Sequence, residues 1–247
     1  MSVPISDWAT MKNQYFGDVN DYLKYAILRC FAEYGQLTIG LCWMLTGKDL
    51  RQDGNLTAYL KNGILWRDHD PVLFDFLYQT VAVENRREVS ALAATSIIPG
   101  ARYYGVPLQD TGTVRRDYFE AMFDCFAGVN VIFFDPDNGL EVRSVTPGKR
   151  NSSKYLYDAE VTSTFQRGYS PLIYQHFPRV QRAAFIHATM GRLSKATGSS
   201  DIYAFSTSRV AYFLVSQAGH AAQMKRCIEH IRSRLAQQIA VWTLEIC

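Results

Sequence analysis

The 247-residue sequence predicts an α/β fold with a mostly parallel sheet, helices on both faces and an antiparallel hairpin at one edge. Three features lead there. Apolar runs of strand length alternate with segments of helical periodicity along most of the chain. The run 129–134 (Val-Asn-Val-Ile-Phe-Phe) is strongly apolar, the pattern of a buried strand. Late in the chain, two strand-like runs, 202–207 and 209–217, meet at a tight turn.

The elements follow in order. In 18–34, Tyr22, Leu23, Tyr25, Ala26, Leu28 and Phe31 fall near three-to-four spacing and predict a helix. Asp18 or Asn20 suits its cap, and Gly35 its end. Residues 37–45 read as a buried strand and 46–55 as a polar, Gly-containing loop. Asp70-Pro71 opens a helix through Leu73, Phe74, Leu77 and Val81, with Pro71 fitted to the first turn. A helix over 89–97 stops before Pro99-Gly100. Then come a strand 101–108, a helix 114–126, the strand 129–134, a helix 158–167, a strand 171–177 and a helix 182–196. The hairpin, a helix over 221–238 and a last strand over 240–246 complete the series. Ligands of such sheets gather at the carboxyl ends of the strands, so the informative residues are expected just after Leu45, Phe134 and Phe177.

Composition bounds the possibilities. With 48% hydrophobic and 20% charged residues, the chain supports one large domain over 1–247, opened by a helical extension over 1–35. It has no linker-like stretch, low-complexity run or solenoid repeat. No apolar stretch approaches the roughly 18 residues of a membrane helix, and the first residues lack the pattern of a signal peptide. Five scattered cysteines without a CxxC pair argue against a zinc ribbon or a disulfide framework. They imply a reducing compartment, hence the cytoplasm, with no membrane partner. The net charge of +3 permits a local basic groove and demands none.

Four segments carry candidate chemistry. In Phe133-Phe134-Asp135-Pro136-Asp137-Asn138-Gly139-Leu140-Glu141 an apolar strand delivers two carboxylates and an amide into a turn. These are common turn residues, yet Asp135 directly follows the strand, and two close carboxylates push their pKa values apart. In Tyr174-Gln175-His176-Phe177-Pro178-Arg179, at the next strand end, His176 can serve as acid, base or phosphate contact, or be structural. Arg179 and Arg182 suit phosphate. Lys149-Arg150-Asn151-Ser152-Ser153-Lys154-Tyr155 interleaves basic, small and aromatic residues, as in a flexible loop that grips a nucleic-acid backbone and stacks a base, or as in a solvated loop. Asn13-Gln14-Tyr15-Phe16-Gly17-Asp18 leads into the first helix, where Lys24 sits in an otherwise aromatic stretch. The remaining histidines have no metal-ligand spacing, and P-loop, GxSxG and GxGxxG motifs are absent.

At these residues the chain resembles the 23S ribosomal RNA adenine-N6 methyltransferases. Tyr15-Phe16-Gly17-Asp18…Asp21-Tyr22-Leu23-Lys24-Tyr25 is similar to that family's His-Ala-Gly-Asn…Asp-x-Leu-Lys-His opening. Tyr59-Leu60…Trp66…Asp70, Pro99-Gly100 and Asp135-Pro136 also have counterparts there. The resemblance implies a Rossmann-like (class I methyltransferase-like) scaffold, with Lys24 near a cofactor and Asp135 at the target amine. Two departures stand out. The family's Gly-rich cofactor loop reads Leu41-Cys42-Trp43-Met44-Leu45-Thr46-Gly47, with bulky side chains. Its Asp-Pro-Pro-Tyr becomes Asp135-Pro136-Asp137-Asn138, which loses the stacking aromatic and gains a carboxylate.

The leading expectation is therefore a DNA glycosylase that flips a nucleobase and hydrolyses its N-glycosidic bond without cofactor or metal. Asp135, Asp137, Asn138 and His176 are its catalytic candidates. Tyr15, Asp18, Lys24, Lys154, Tyr155, Gln175 and Arg179 are its substrate-binding candidates. The partner is nucleic acid, DNA before RNA, and excision of modified phage bases would suit such a scaffold. The alternatives are an S-adenosylmethionine-dependent adenine-N6 methyltransferase, a non-catalytic nucleic-acid-binding relative, and a metal-dependent hydrolase using Asp135, Asp137 and Glu141. Sequence leaves the oligomeric state open.

Overall fold

The computed structural model describes residues 15–47 and 56–244. Asn13 and Gln14 of the opening motif, most of the 46–55 loop and the end of the 240–246 strand lie outside them.

The elements run α1 (Val19–Glu33), β1 (Ile39–Cys42), α2 (Gly63–Trp66), α3 (Pro71–Leu77), α4 (Val89–Ala93), β2 (Arg102–Tyr104) and α5 (Gly112–Cys125). They continue with β3 (Val131–Phe134), β4 (Gly139–Leu140), β5 (Tyr155–Leu156), α6 (Asp158–Gln166) and β6 (Ser170–His176). The last are α7 (Arg182–Thr197), β7 (Ile202–Ser206), β8 (Val210–Val215), α8 (Ala221–Arg234) and β9 (Ala240–Thr243). Seven strands form one sheet in the order β2-β1-β3-β6-β8-β7-β9. β2, β1, β3 and β6 are parallel, whereas β8 pairs antiparallel with both β6 and β7. This is the Rossmann-like α/β arrangement expected. The hairpin is not outermost, because β9 adds antiparallel beyond β7. β4 and β5 make a small parallel pair that the sequence did not suggest.

Alternation along each strand divides the core. Val131 and Phe133 face the helix α1 side with Leu41, Leu172 and Tyr212. Ile132 and Phe134 face the α5–α7 side with Ile173, Met190 and Phe213. Both faces are covered, which is why the central strands read as continuous apolar runs.

Helix α1 is embedded in this core. All eleven residues from Asp21 to Phe31 are buried, including the charged Asp21, Lys24 and Arg29. Arg29 answers its burial with Asp70 at 2.6 Å, Glu33 at 2.7 Å and the Ile97 carbonyl. Asp18 caps α1 by accepting from the Asn20 and Asp21 amides at 2.8 and 2.9 Å. Asp70 caps α3 through the Leu73 amide at 3.0 Å.

Some boundaries differ from expectation. α4 ends at Ala93, where the Thr95 hydroxyl bonds the Leu92 carbonyl at 2.8 Å and competes with the helix ladder. α3 passes into a π-helical turn, Tyr78–Val83, and Val81 of that turn packs on Gly17. α8 stops at Arg234, short of residue 238.

Candidate functional site

A cleft of about 1260 Å³ opens over the carboxyl ends of β1, β3 and β6. Asp18, Asp21, Lys24, Asp135 and Asp137 line it, with Lys154, His176, Arg179, Arg182 and Arg209 among its other charged or ionisable residues. Strand parity sets the inner wall: Asp135 continues the Val131–Phe133 side of β3, so it turns toward α1.

There Lys24 reaches it. The Lys24 Nζ lies 2.6 Å from Asp135 Oδ2 and 2.6 Å from Asp21 Oδ1. The Phe133 and Tyr25 rings lie beside the ammonium, 5.9 and 4.9 Å from it. Burial alone would favour the neutral amine, but the Asp135 and Asp21 carboxylates outweigh it and hold the Lys24 pKa well above normal. At Asp135 the balance favours the neutral carboxyl. Burial pushes its pKa up to about 6, opposed by Lys24 and reinforced by Asp21 and Asp137. Asp18 also rises to about 6, chiefly through burial and then through Asp21. Asp21 is steadied by the Gly17 amide at 3.0 Å. Gly17 has φ +75°, and a Cβ there would lie 2.4 Å from Val81, so glycine is required at this turn.

Asp137 is positioned from a different strand. Thr46, just beyond β1, donates its hydroxyl to Asp137 Oδ2 at 2.8 Å. The two carboxylates of the turn are thus held separately, Asp135 by α1 and Asp137 by the end of β1. The turn itself is fixed from below by buried Gln175. Its Oε1 accepts from the Leu140 amide at 2.8 Å, and its Nε2 donates to the Asn138 and His176 carbonyls at 3.2 and 2.7 Å. His176 ends β6 exposed at the rim, with Nε2 3.2 Å from the Tyr174 hydroxyl.

Tyr15, Asp18, Lys24, Asp135, Asp137, Asn138, Lys154, His176 and Arg179 all line the cleft. Two expectations need correction. Gln175 is only 7% exposed and uses its amide on backbone, so it shapes the turn instead of facing the cleft. Tyr155 begins β5 and is absent from the lining; its carbonyl accepts from Arg115 at 2.6 Å. The surrounding segment is anchored where a flexible loop was expected. Asp110 accepts from the Asn151 and Ser153 amides, both at 2.8 Å, and Ser152 and Ser153 are buried.

The metal-hydrolase grouping does not assemble. Glu141 Oε1 pairs with Arg192 at 3.2 Å away from the cleft, and among the described residues no three His, Cys, Asp or Glu side chains form a metal-binding group. Thr46 and Arg209 are the residues that sequence reasoning missed. Their signal was position: Thr46 follows the expected strand end at Leu45, and Arg209 directly precedes Val210, the register partner of His176.

Bulky side chains stand at the carboxyl ends of β1 and β2, where the methyltransferase resemblance would place a cofactor. At the carboxyl ends of β1 and β2, Trp43 is 3% exposed and stacks on Tyr103 at 5.4 Å. Met44 adopts φ 45° where the methyltransferase-like loop would call for small residues. Tyr103-Tyr104-Gly105-Val106 at the end of β2 offers no carboxylate to a ribose hydroxyl. Among the described residues no helix is long and apolar enough to cross a membrane. No protein-family model matches the chain, and no curated protein matches it.

Proposed function

We propose that this chain is a base-flipping DNA glycosylase. The observation that carries the reading is the pair Asp135 and Asp137, delivered by one strand end to the cleft and fixed independently by Lys24 and Thr46. Hydrolysis of an N-glycosidic bond develops positive charge on the sugar and negative charge on the departing base. A carboxylate facing the sugar and a second one beside a water answer the first need. Donors at the rim answer the second.

In this reading Asp135 faces the sugar cation. Asp137 orients the water and takes its proton as the water oxygen bonds to C1′. The C1′–N bond breaks, its electron pair leaves with the base, and the base is protonated from the His176 side of the rim while Asn138 holds its edge. DNA is favoured over RNA because a 2′-hydroxyl withdraws electrons and raises the energy of the sugar cation. Extrusion of the nucleotide brings C1′ to the cleft floor. A cytoplasmic setting belongs to the same reading.

Methyl transfer from S-adenosylmethionine is the second reading. What favours it is Lys24 beside Asp135, the pairing that the methyltransferase resemblance implies at cofactor and target. The bulky stacked pair Trp43 and Tyr103, where the resemblance calls for glycine, weighs against it.

The test is mass spectrometry of DNA, including phage DNA with modified bases, and of RNA after incubation with and without S-adenosylmethionine. Release of free base with abasic sites, independent of cofactor, is the expected result. A methyl-sized mass gain that needs cofactor would overturn the glycosylase reading. Asp137→Asn should retain binding and lose base release; full activity in that variant would remove Asp137 from the mechanism.

A further inference from the structure

The cleft has a feature that the hydrolytic chemistry does not use. Between His176 and α7 the chain makes a tight projection, Phe177-Pro178-Arg179-Val180-Gln181, at the cleft mouth. Val180 at its tip is 57% exposed, an aliphatic side chain set among Arg179, Arg182 and Arg209, all exposed. Local bonds hold the projection. The Val180 amide bonds the Pro178 carbonyl at 2.8 Å, Gln181 caps α7 through the Ala184 amide at 2.6 Å, and the Arg182 guanidinium lies 5.4 Å from the Phe177 ring centre. Phe177 is anchored in turn against Phe185 at 6.0 Å.

We propose that this projection is a wedge for duplex DNA, with Val180 entering the base stack in the space left by the extruded nucleotide and the three arginines holding the flanking phosphates. The proposal rests on the base-flipping reading above and adds the form of the substrate: a duplex, opened from the β6–α7 side. A rigid apolar tip flanked by cations is what this requires. The apolar group replaces lost stacking, and rigidity means that little conformational entropy is lost on insertion. The cations supply sequence-independent attraction to the backbone. Acidic groups deep in the cleft keep phosphates at the rim, so that only the sugar and base descend.

The experiment reads insertion without requiring excision. A DNA duplex carrying a tetrahydrofuran abasic analogue beside 2-aminopurine is titrated with the full chain, and its intact counterpart serves as reference. The wild type should bind the abasic duplex at least about tenfold more tightly than the intact one and change the 2-aminopurine emission. Val180→Gly should lose both the preference and the emission change while still binding intact duplex, and Val180→Leu should restore them. Arg179→Ala with Arg182→Ala should weaken binding to both duplexes and flatten its salt dependence. Equal preference in Val180→Gly, or none in the wild type, overturns the wedge. Base release from single strands that is insensitive to Val180→Gly, with no abasic-duplex preference, would discard the wedge and leave the glycosylase. The preference without any base release would retain the wedge and discard the glycosylase.

Discussion

Lys24 and Asp135 meet at 2.6 Å across a sequence separation of 111 residues, and the same ammonium holds Asp21 at 2.6 Å. One cation therefore serves buried Asp21 and half-buried Asp135 on the floor of the cleft. Replacing it by Lys24→Met leaves both acids without their ammonium, Asp21 buried and Asp135 half-buried. The expected loss is about 3–5 kcal/mol at pH 7.5, the usual cost of breaking a buried ion pair from one side. Denaturant titration at pH 7.5 and pH 5 checks it. The deficit should shrink at pH 5, as the orphaned Asp135 carboxyl takes up a proton; a deficit equal at both values would mean that packing, not charge, explains the loss.

In the glycosylase reading, the raised pKa of Asp135 gives base release a pH signature. If its carboxylate faces the sugar cation, base release should increase as pH rises through about 6 and level off above it. Lys24 opposes the upward shift, so a conservative Lys24→Arg, which keeps the charge but alters its distance, should move the midpoint by less than Lys24→Met does. Single-turnover base release between pH 4.5 and 8.5 reads both. An unshifted midpoint in Lys24→Met would assign the titration to another group.

How much of this was legible in sequence depends on the range of each interaction. The strand end at Phe134 and the carboxylates after it were readable because apolar runs and turn residues are local signals. The same holds for the cap at Asp18. The partners of those carboxylates were not readable. Thr46 lies 91 residues from Asp137, and no periodicity links them. Gln175 looked like a ligand contact because it sits at a strand end, but it occupies the opposite parity from Tyr174 and His176 and turns under the Asn138 turn. Lys24 was conspicuous for the right physical reason: a charge in an aromatic stretch must find a counter-charge when buried.

Asp18 offers a stability test independent of function. Its folded pKa lies near 6, above the ordinary 3.8, so the folded state binds this proton more tightly than the unfolded chain does. That contribution is complete below about pH 4 and is lost as pH rises through about 6. Asp18→Asn preserves the cap, since asparagine caps as well as aspartate, and removes the desolvated charge. The variant should gain on the wild type between pH 4 and pH 8 by up to about 3 kcal/mol, from roughly 1.4 kcal/mol per pKa unit. Thermal melts across that range decide it. A stability difference independent of pH would show that the Asp18 carboxyl ionises normally in the fold.

Gly139 tests whether the turn below the two carboxylates is as tightly determined as its bonds imply. Its φ is +107°, and a Cβ would fall 2.4 Å from Gln175 Oε1. Alanine must therefore both strain the backbone and displace the amide that holds Asn138 and Leu140. Gly139→Ala should cost about 2–4 kcal/mol, combining strain with overpacking. Adding Gln175→Ala removes the clash and should return part of that stability. It should not return base release, because the amide that bonds the Asn138 carbonyl is then absent and the turn carrying Asp137 loses that hold. Denaturant titration and single-turnover assays on the two single variants and the double variant separate these effects. Recovery of both stability and activity in the double variant would mean that Gln175 is only an obstacle to the added methyl. Recovery of stability alone would make it the residue that positions the turn.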